Sequence, residues 1–258
     1  MSRLAAPAAL LLLAAGCGGG GGGSASSGDI VDAATKTARA GSLEADFSIA
    51  GQGLSATGSG VFDTGKHPAG QLNMKVTASG RQTPVDTVVT GDVFYMRSPA
   101  FARSIAQGKQ WVKLDLAKLA RQRGVDLGGI LDASPTPTNA LAYLRGTREV
   151  RELGSETVGD AKTTHYEVTV DIDRAARKAT GEARSSLEGV IAQSGLKRLP
   201  LDVWVDGNGY IRKVRYEEHA GRQQAANVTM ELHDFGSRVA IEPPPADSVV
   251  DLTKLQGG

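Results

Sequence analysis

Apolar and polar residues alternate with a period of two along much of this chain. Leu43, Ala45, Phe47 and Ile49 alternate with Glu44, Asp46 and Ser48, and Leu72, Met74, Val76 and Ala78 alternate with Asn73, Lys75, Thr77 and Ser79. Successive side chains of a strand point to opposite faces, so each run predicts a strand buried on one side. Further strands are predicted at residues 85–90 and 93–97, either side of Gly91-Asp92, and at 111–114. Tyr166, Val168 and Val170 mark another, as do Leu201, Val203 and Val205 ahead of the turn Asp206-Gly207-Asn208-Gly209. Residues 210–219 and then Val228, Met230 and Leu232 complete the series. If the last two strands pair about Gln223, His219 faces Asn227 and His233 faces Lys213. Many hairpin-linked strands with one polar face predict an antiparallel sheet covered on one side.

The cover is expected from helices. Ile30, Ala33, Ala34, Thr37 and Ala38 recur at helical spacing behind Asp29, which reads as the N-cap, and the helix ends before Gly41. Residues 116–123, then 140–144 beyond Pro135 and Pro137, are further helical candidates. So are residues 173–193, with Leu187, Val190 and Ile191 on one stripe and Glu182, Arg184 and Glu188 elsewhere. No internal repeat and no linker divides residues 43–252, which predicts one domain. Pro243-Pro244-Pro245 predicts an extended tail.

The first residues bear on compartment. Arg3 precedes an apolar stretch broken only by Pro7, and Ala14, Ala15 and Gly16 are small residues directly before Cys17. About twelve apolar residues rise only about 18 Å as a helix, against about 30 Å for a bilayer core, so the stretch reads as a secretory signal. Cys17 is the only cysteine, which excludes a disulfide within one chain and a multi-cysteine metal site. Leu13-Ala14-Ala15-Gly16-Cys17 resembles the lipobox of bacterial lipoproteins, although Leu13 stands one step further from the cysteine than usual. The resemblance implies a diacylglycerol on the Cys17 sulfur and cleavage that leaves Cys17 as the new N-terminus. It implies a signal peptide at 1–16, an acylated cysteine and Gly/Ser-rich tether at 17–28, and a folded domain at 29–258. The tether would reach about 18 Å as a flexible coil, and two acyl chains would hold the domain on the outer face of the cell membrane.

Composition removes several classes. Lys plus Arg number 29 against 28 Asp plus Glu, and aromatic residues are 5% of the chain. A near-neutral chain with few stacking platforms lacks the footprint of a nucleic-acid binder.

Residues 91–99 (GDVFYMRSP), 109–114 (KQWVKL), 154–159 with Thr163-Thr164-His165-Tyr166, and 201–213 (LDVWVDGNGYIRK) together resemble actinobacterial lipoproteins of the LppX/LprG type, which belong with LolA-like carriers. The resemblance spans residues 43–235 and implies an α+β fold: a curved antiparallel β half-barrel covered on its concave side by helices. It also implies a hydrophobic cavity that holds acyl chains. Phe47, Leu72, Met74, Val76, Val168, Val203, Val214, Met230 and Leu232 from strands, with Leu187 and Ile191 from the covering helix, are the candidate lining.

Catalytic signals are weak. Residues 60–67 approach a Walker A pattern, but His67 replaces the magnesium-binding Ser or Thr, and a glycine-rich hairpin is the better reading. His165, His219 and His233 fall on the polar side of their strands and read as solvated. With no converging pair of histidines, no nucleophile elbow and no EF-hand spacing, no enzyme, metal or cofactor is expected. Asp206 to Gly209 reads as a tight turn. Asp171 with Asp173 and Glu217 with Glu218 read as solubilising, and the Asn227-Val228-Thr229 acceptor motif as chance.

Two readings remain open. One is a membrane-tethered protein that binds or carries a lipid or other hydrophobic ligand between sheet and helices. The other is a non-enzymatic envelope lipoprotein with a filled core that acts through a protein partner, with Trp204 as its exposed apolar anchor.

Overall fold

A computed structural model describes residues 25–51, 53–66, 68–104, 108–115, 118–119, 136–179, 184, 187–189, 191–192, 195–220 and 223–255. Among the described residues twelve strands form one sheet: β1 (Ser42–Gly51), β2 (Leu54–Asp63), β3 (Ala69–Ala78), β4 (Arg81–Thr90), β5 (Val93–Arg97), β6 (Trp111–Asp115), β7 (Thr147–Val158), β8 (Ala161–Asp171), β9 (Arg198–Asp206), β10 (Ile211–Ala220), β11 (Gln223–His233) and β12 (Val249–Asp251). The helices are α1 (Ser27–Ala38), α2 (Pro99–Ser104), α3 (Pro137–Leu144), α4 (Ile172–Lys178) and α5 (Leu252–Leu255), and residues 187–189 and 191–192 are also helical.

Two meanders, β1 to β6 and β7 to β11, are joined where β1 pairs with β11. All pairings are antiparallel except β12 on β6. The sheet stays open, with β7 and the three-residue β12 as its edges. Register places the predicted apolar sets on one face. Val85, Met74, Gly58, Phe47, Met230, Val214, Val203 and Tyr166 form a row from β4 to β8. A second row runs Val76, Ala56, Ile49, Val228, Tyr216, Leu201, Val168 and Val150.

Helices α1, α3 and α4 pack over the β7 to β11 half, where Val168, Val203, Val214 and Met230 are fully enclosed with Leu43, Ile30, Leu141 and Ile172. The helix start differs from expectation. Ser26 is the N-cap and Asp29 the third helical residue of a capping box, its carboxylate accepting the Ser26 N–H at 2.7 Å. Thr37 ties α1 to the sheet: its buried hydroxyl donates to Ala33 O and accepts the Ile211 N–H.

The 210–233 hairpin turns one residue earlier than predicted. Lys213 pairs with Glu231, and a bulge at Glu218/His219 sets His219 against Gln224; on the other side of β11, His233 opposes Glu44 of β1. An extra residue in one strand shifts all pairing beyond it, and periodicity does not reveal one. The 173–193 prediction divides: α4 ends at Lys178, Ala179 is extended, and helix resumes within 184–192. Gly60 lies within β2 rather than in a loop, while His67 and Val190 fall outside the described residues.

Asp171 caps α4. Its Oδ1 accepts the Arg174 N–H at 2.8 Å and its Oδ2 meets Arg148 Nε at 2.7 Å. The Arg174 backbone hydrogen bond, with Arg148 beside it, holds this carboxyl below the usual aspartate range. A depressed carboxyl contributes stability above its unfolded pKa and loses it as pH falls through the folded value. Urea midpoints are therefore expected to drop below about pH 4, and the drop is expected to be shallower in Asp171→Asn. Equal acid slopes for the two proteins would show that the cap carries none of this dependence.

Candidate functional site

The concave face is mainly apolar, with Thr83, Thr87 and Glu152 among its polar members, and is unevenly covered. Beside α1, α3 and α4, Val168, Val203, Val214 and Met230 are enclosed while Val150, Tyr166, Val205 and Tyr216 are partly buried; over β3 to β6, Leu72 and Val112 are buried but Met74, Val76, Val85, Phe94, Met96 and Leu114 are only half-buried. The strip reaches the rim at Leu54, 46% exposed and on the same face as Ala56. Gly58, Gly60 and Gly70 thin the sheet beside it. The Phe62 ring lies over Gly60 and Gly70, where an added Cβ would come within 2.9 and 3.0 Å of it. That ring meets Phe47 edge to face at 5.9 Å.

Of the predicted lining residues, Phe47, Leu72, Val168, Leu187, Val203, Val214, Met230 and Leu232 are buried in one core cluster, and Met74 and Ile191 pack partly buried against it. Val76 is half-buried on β3 outside that cluster. The structure brings all of the strand residues onto one face. Periodicity did not distinguish the sealed ones from the half-covered ones, because it records which face a residue takes and not what lies over it. Cys17 and the tether up to residue 24 fall outside the described residues.

The convex face corrects two expectations. Trp204 is 3% exposed and His165 8%, so neither is a solvated surface group. Their rings stack at 4.1 Å between centroids, directly opposite one another on β9 and β8. His165 Nδ1 lies 2.9 Å from Glu156 Oε1 and Nε2 lies 2.8 Å from Asp202 Oδ1. The Trp204 indole N–H donates to Glu156 Oε2 at 2.9 Å, and Lys213 and Arg215 cover the other indole face. The indole N–H foremost holds the Glu156 carboxyl below the usual range, with His165 and Lys213 adding to it. Residues on the polar parity of adjacent strands can bury one another when aromatic and charged groups interlock, and a pattern read strand by strand does not show this. The other tight element is as expected: Asp206 Oδ1 accepts from Asn208 N and Tyr210 N, closing the turn, and Oδ2 meets Arg212 Nε at 2.7 Å.

A cleft of about 570 Å³ opens beside the β7–β8 and β9–β10 turns and the end of β11. Its floor includes Phe235, stacked on Tyr210 at 4.6 Å between centroids. Asp46, Asp160, Glu231 and Asp234 give it an acidic lining. Imidazole and carboxylate atoms converge there, but no arrangement of nucleophile and base stands out among the described residues.

No family model matches the sequence. A Streptomyces coelicolor chain carrying the name "Putative lipoprotein SCO4650" is 26% identical over 89% of this chain and 77% of its own length. An uncharacterised 31.2 kDa protein of Streptomyces griseus, from the rplA-rplJ intergenic region, is 25% identical over 74% of this chain. This chain spans 65% of the length of that relative. Among solved structures, LprF from Mycobacterium bovis superposes with a TM-score of 0.52 at 14% identity, covering 84% of this chain and 96% of LprF. The open, mainly antiparallel sheet with helices packed on one face is thus the fold of LprF, in a chain whose sequence is similar to that of a Streptomyces chain named as a lipoprotein.

Proposed function

We propose that this protein is an extracytoplasmic lipoprotein, tethered to the outer face of the cell membrane through acylated Cys17, that binds a lipid or other hydrophobic ligand on its concave face. The observation that carries the reading is the half-covered apolar strip of Met74, Val76, Val85, Phe94, Met96 and Leu114 beside a fully sealed core. Burying an acyl chain there gains about 25 cal/mol for each Å² of apolar surface removed from water, which needs no catalytic group. The lipobox-like segment and the S. coelicolor relative support the anchor. Among the described residues no helix is long and apolar enough to cross a membrane. The protein-partner reading loses its anchor residue, because Trp204 is enclosed. The role proposed is binding, not catalysis.

Native mass spectrometry of the chain from residue 17, carrying Cys17→Ser and purified from a lipid-containing host, tests this directly. A bound species of several hundred daltons, released by organic extraction, is the expected result. A clean apo mass that persists after incubation with lipid extract would overturn the proposal. Met74→Lys places a charge in the half-buried strip and is expected to weaken retention of the extracted ligand about tenfold, or about 1.4 kcal/mol, while leaving the fold intact. Unchanged retention in that variant would move the site off β3.

A further inference from the structure

We infer that Glu44, His233 and Asp234 form a binding site for a first-row divalent transition-metal cation on the convex side of the sheet, apart from the apolar strip. One ligand atom from each residue lies within 4.8 Å of the others. Two features of the backbone produce this convergence. Glu44 and His233 are direct cross-strand partners on β1 and β11, so their side chains leave the same face side by side. Asp234 follows His233 immediately and in an extended strand would point to the opposite face. Its backbone instead takes a left-handed conformation, φ 49°, and the carboxylate turns back to lie 2.7 Å from His233 Nδ1.

Asp46, two residues along β1, stands 3.3 Å from Nε2, and Asp46, Asp160, Glu231 and Asp234 line the adjoining cleft. Arg212, which lines the same cleft, is engaged with Asp206, and Lys213 with Glu231. The net local charge is therefore negative, and a small cation fits it. One imidazole with two carboxylates disfavours calcium and magnesium, which take all-oxygen sets, and suits zinc and its neighbours. Metal–ligand bonds of about 2.0–2.2 Å set tetrahedral ligand atoms about 3.4 Å apart, so the wider gaps in this cluster must close by side-chain rotation, and the strand pairing holds two of the three residues in place. Binding replaces an N–H of the ring by an N–metal bond, and any proton displaced leaves to solvent.

Zinc is the probe. The Cys17→Ser chain, which carries no thiol, is titrated with Zn²⁺ against a chromophoric chelator and by equilibrium dialysis, then with Co²⁺ for its visible absorption. One equivalent is expected to bind. His233→Ala and Glu44→Gln are each expected to weaken binding tenfold or more, and His219→Ala, on the neighbouring strand, is expected to change nothing. Thermal denaturation of each variant without metal reports whether it folds, and Glu44→Gln keeps the side chain's size where His233→Ala removes the ring and its contacts with Asp46 and Asp234. Binding no stronger than to the chelator blank, or equal binding by the His233 and Glu44 variants and the parent, would overturn the site and leave a surface ion pair.

Discussion

Trp204→Ala is expected to lower the stability of the folded domain by about 3–5 kcal/mol, the range for removing an enclosed large aromatic side chain. The indole is 3% exposed on the side of the sheet that faces away from the core, so the loss would not arise from the core itself. It arises because the indole is the centre of an interlocked layer. His165 stacks on one face, Lys213 and Arg215 lie over the other, and Glu156 takes the N–H. Removing the ring opens His165 and Asp202 to water and leaves Glu156 without its strongest donor. Trp204→Phe separates the two contributions. It keeps a ring for His165 but loses the N–H and the second ring of the indole, so the drop is expected to be smaller, and the acid side of the stability profile to flatten. The sign follows from Glu156: its carboxyl is held below the usual range foremost by the indole, so its contribution is present above the unfolded pKa and lost as pH falls through the folded one. Urea denaturation of the three proteins between pH 3 and 7 checks both statements. A Trp204→Ala variant as stable as the parent, with a lost binding partner, would instead restore this side of the sheet as a docking surface.

That layer also shows where a sequence reading stops. Alternation at 43–49 and 72–78 located β1 and β3 and assigned the right face to Phe47, Leu72 and Met74, because one side of each strand meets a core. β2 went unread because Ala56, Gly58 and Gly60 stand where large apolar residues would mark the buried face; the core there is filled by Phe62 and Phe47 reaching across. β7 went unread because it is an edge strand with both faces largely wet, so its charged residues carry no alternation. His165 and Trp204 are opposite one another only through the β8 to β9 register, and those strands are separated in the chain by α4 and residues 179–197. No turn links them to fix that register in advance. The left-handed Asp234 is the same kind of feature: nothing in its neighbours along the chain announces it. The candidate ligand face was legible as a set of residues; its division into sealed and half-covered parts depends on where helices lie.

Gly58→Ala is the most economical way to disturb that face without changing any side chain on it, and is expected to cost about 2–4 kcal/mol. A Cβ at residue 58 would stand 2.2 Å from the Asn73 carbonyl oxygen and 2.8 Å from Met74 Cα, both backbone atoms of the adjacent strand. A flexible side chain could swing away from such a contact, but a backbone paired along ten positions of β2 and β3 can only shift as a unit. The shift would be felt at once by the direct partners of Gly58, Met74 on β3 and Phe47 on β1. Met74 belongs to the half-covered strip and Phe47 to the sealed core, so this glycine sits at their boundary. Chemical denaturation measures the loss of stability, and ligand retention measured beside it separates two outcomes. If the strip binds the ligand, retention is expected to fall in the protein that remains folded, as in Met74→Lys but through displaced backbone rather than added charge. If retention follows only the folded fraction, the binding surface lies away from the β2–β3 seam, and the proposed strip is in the wrong half of the sheet.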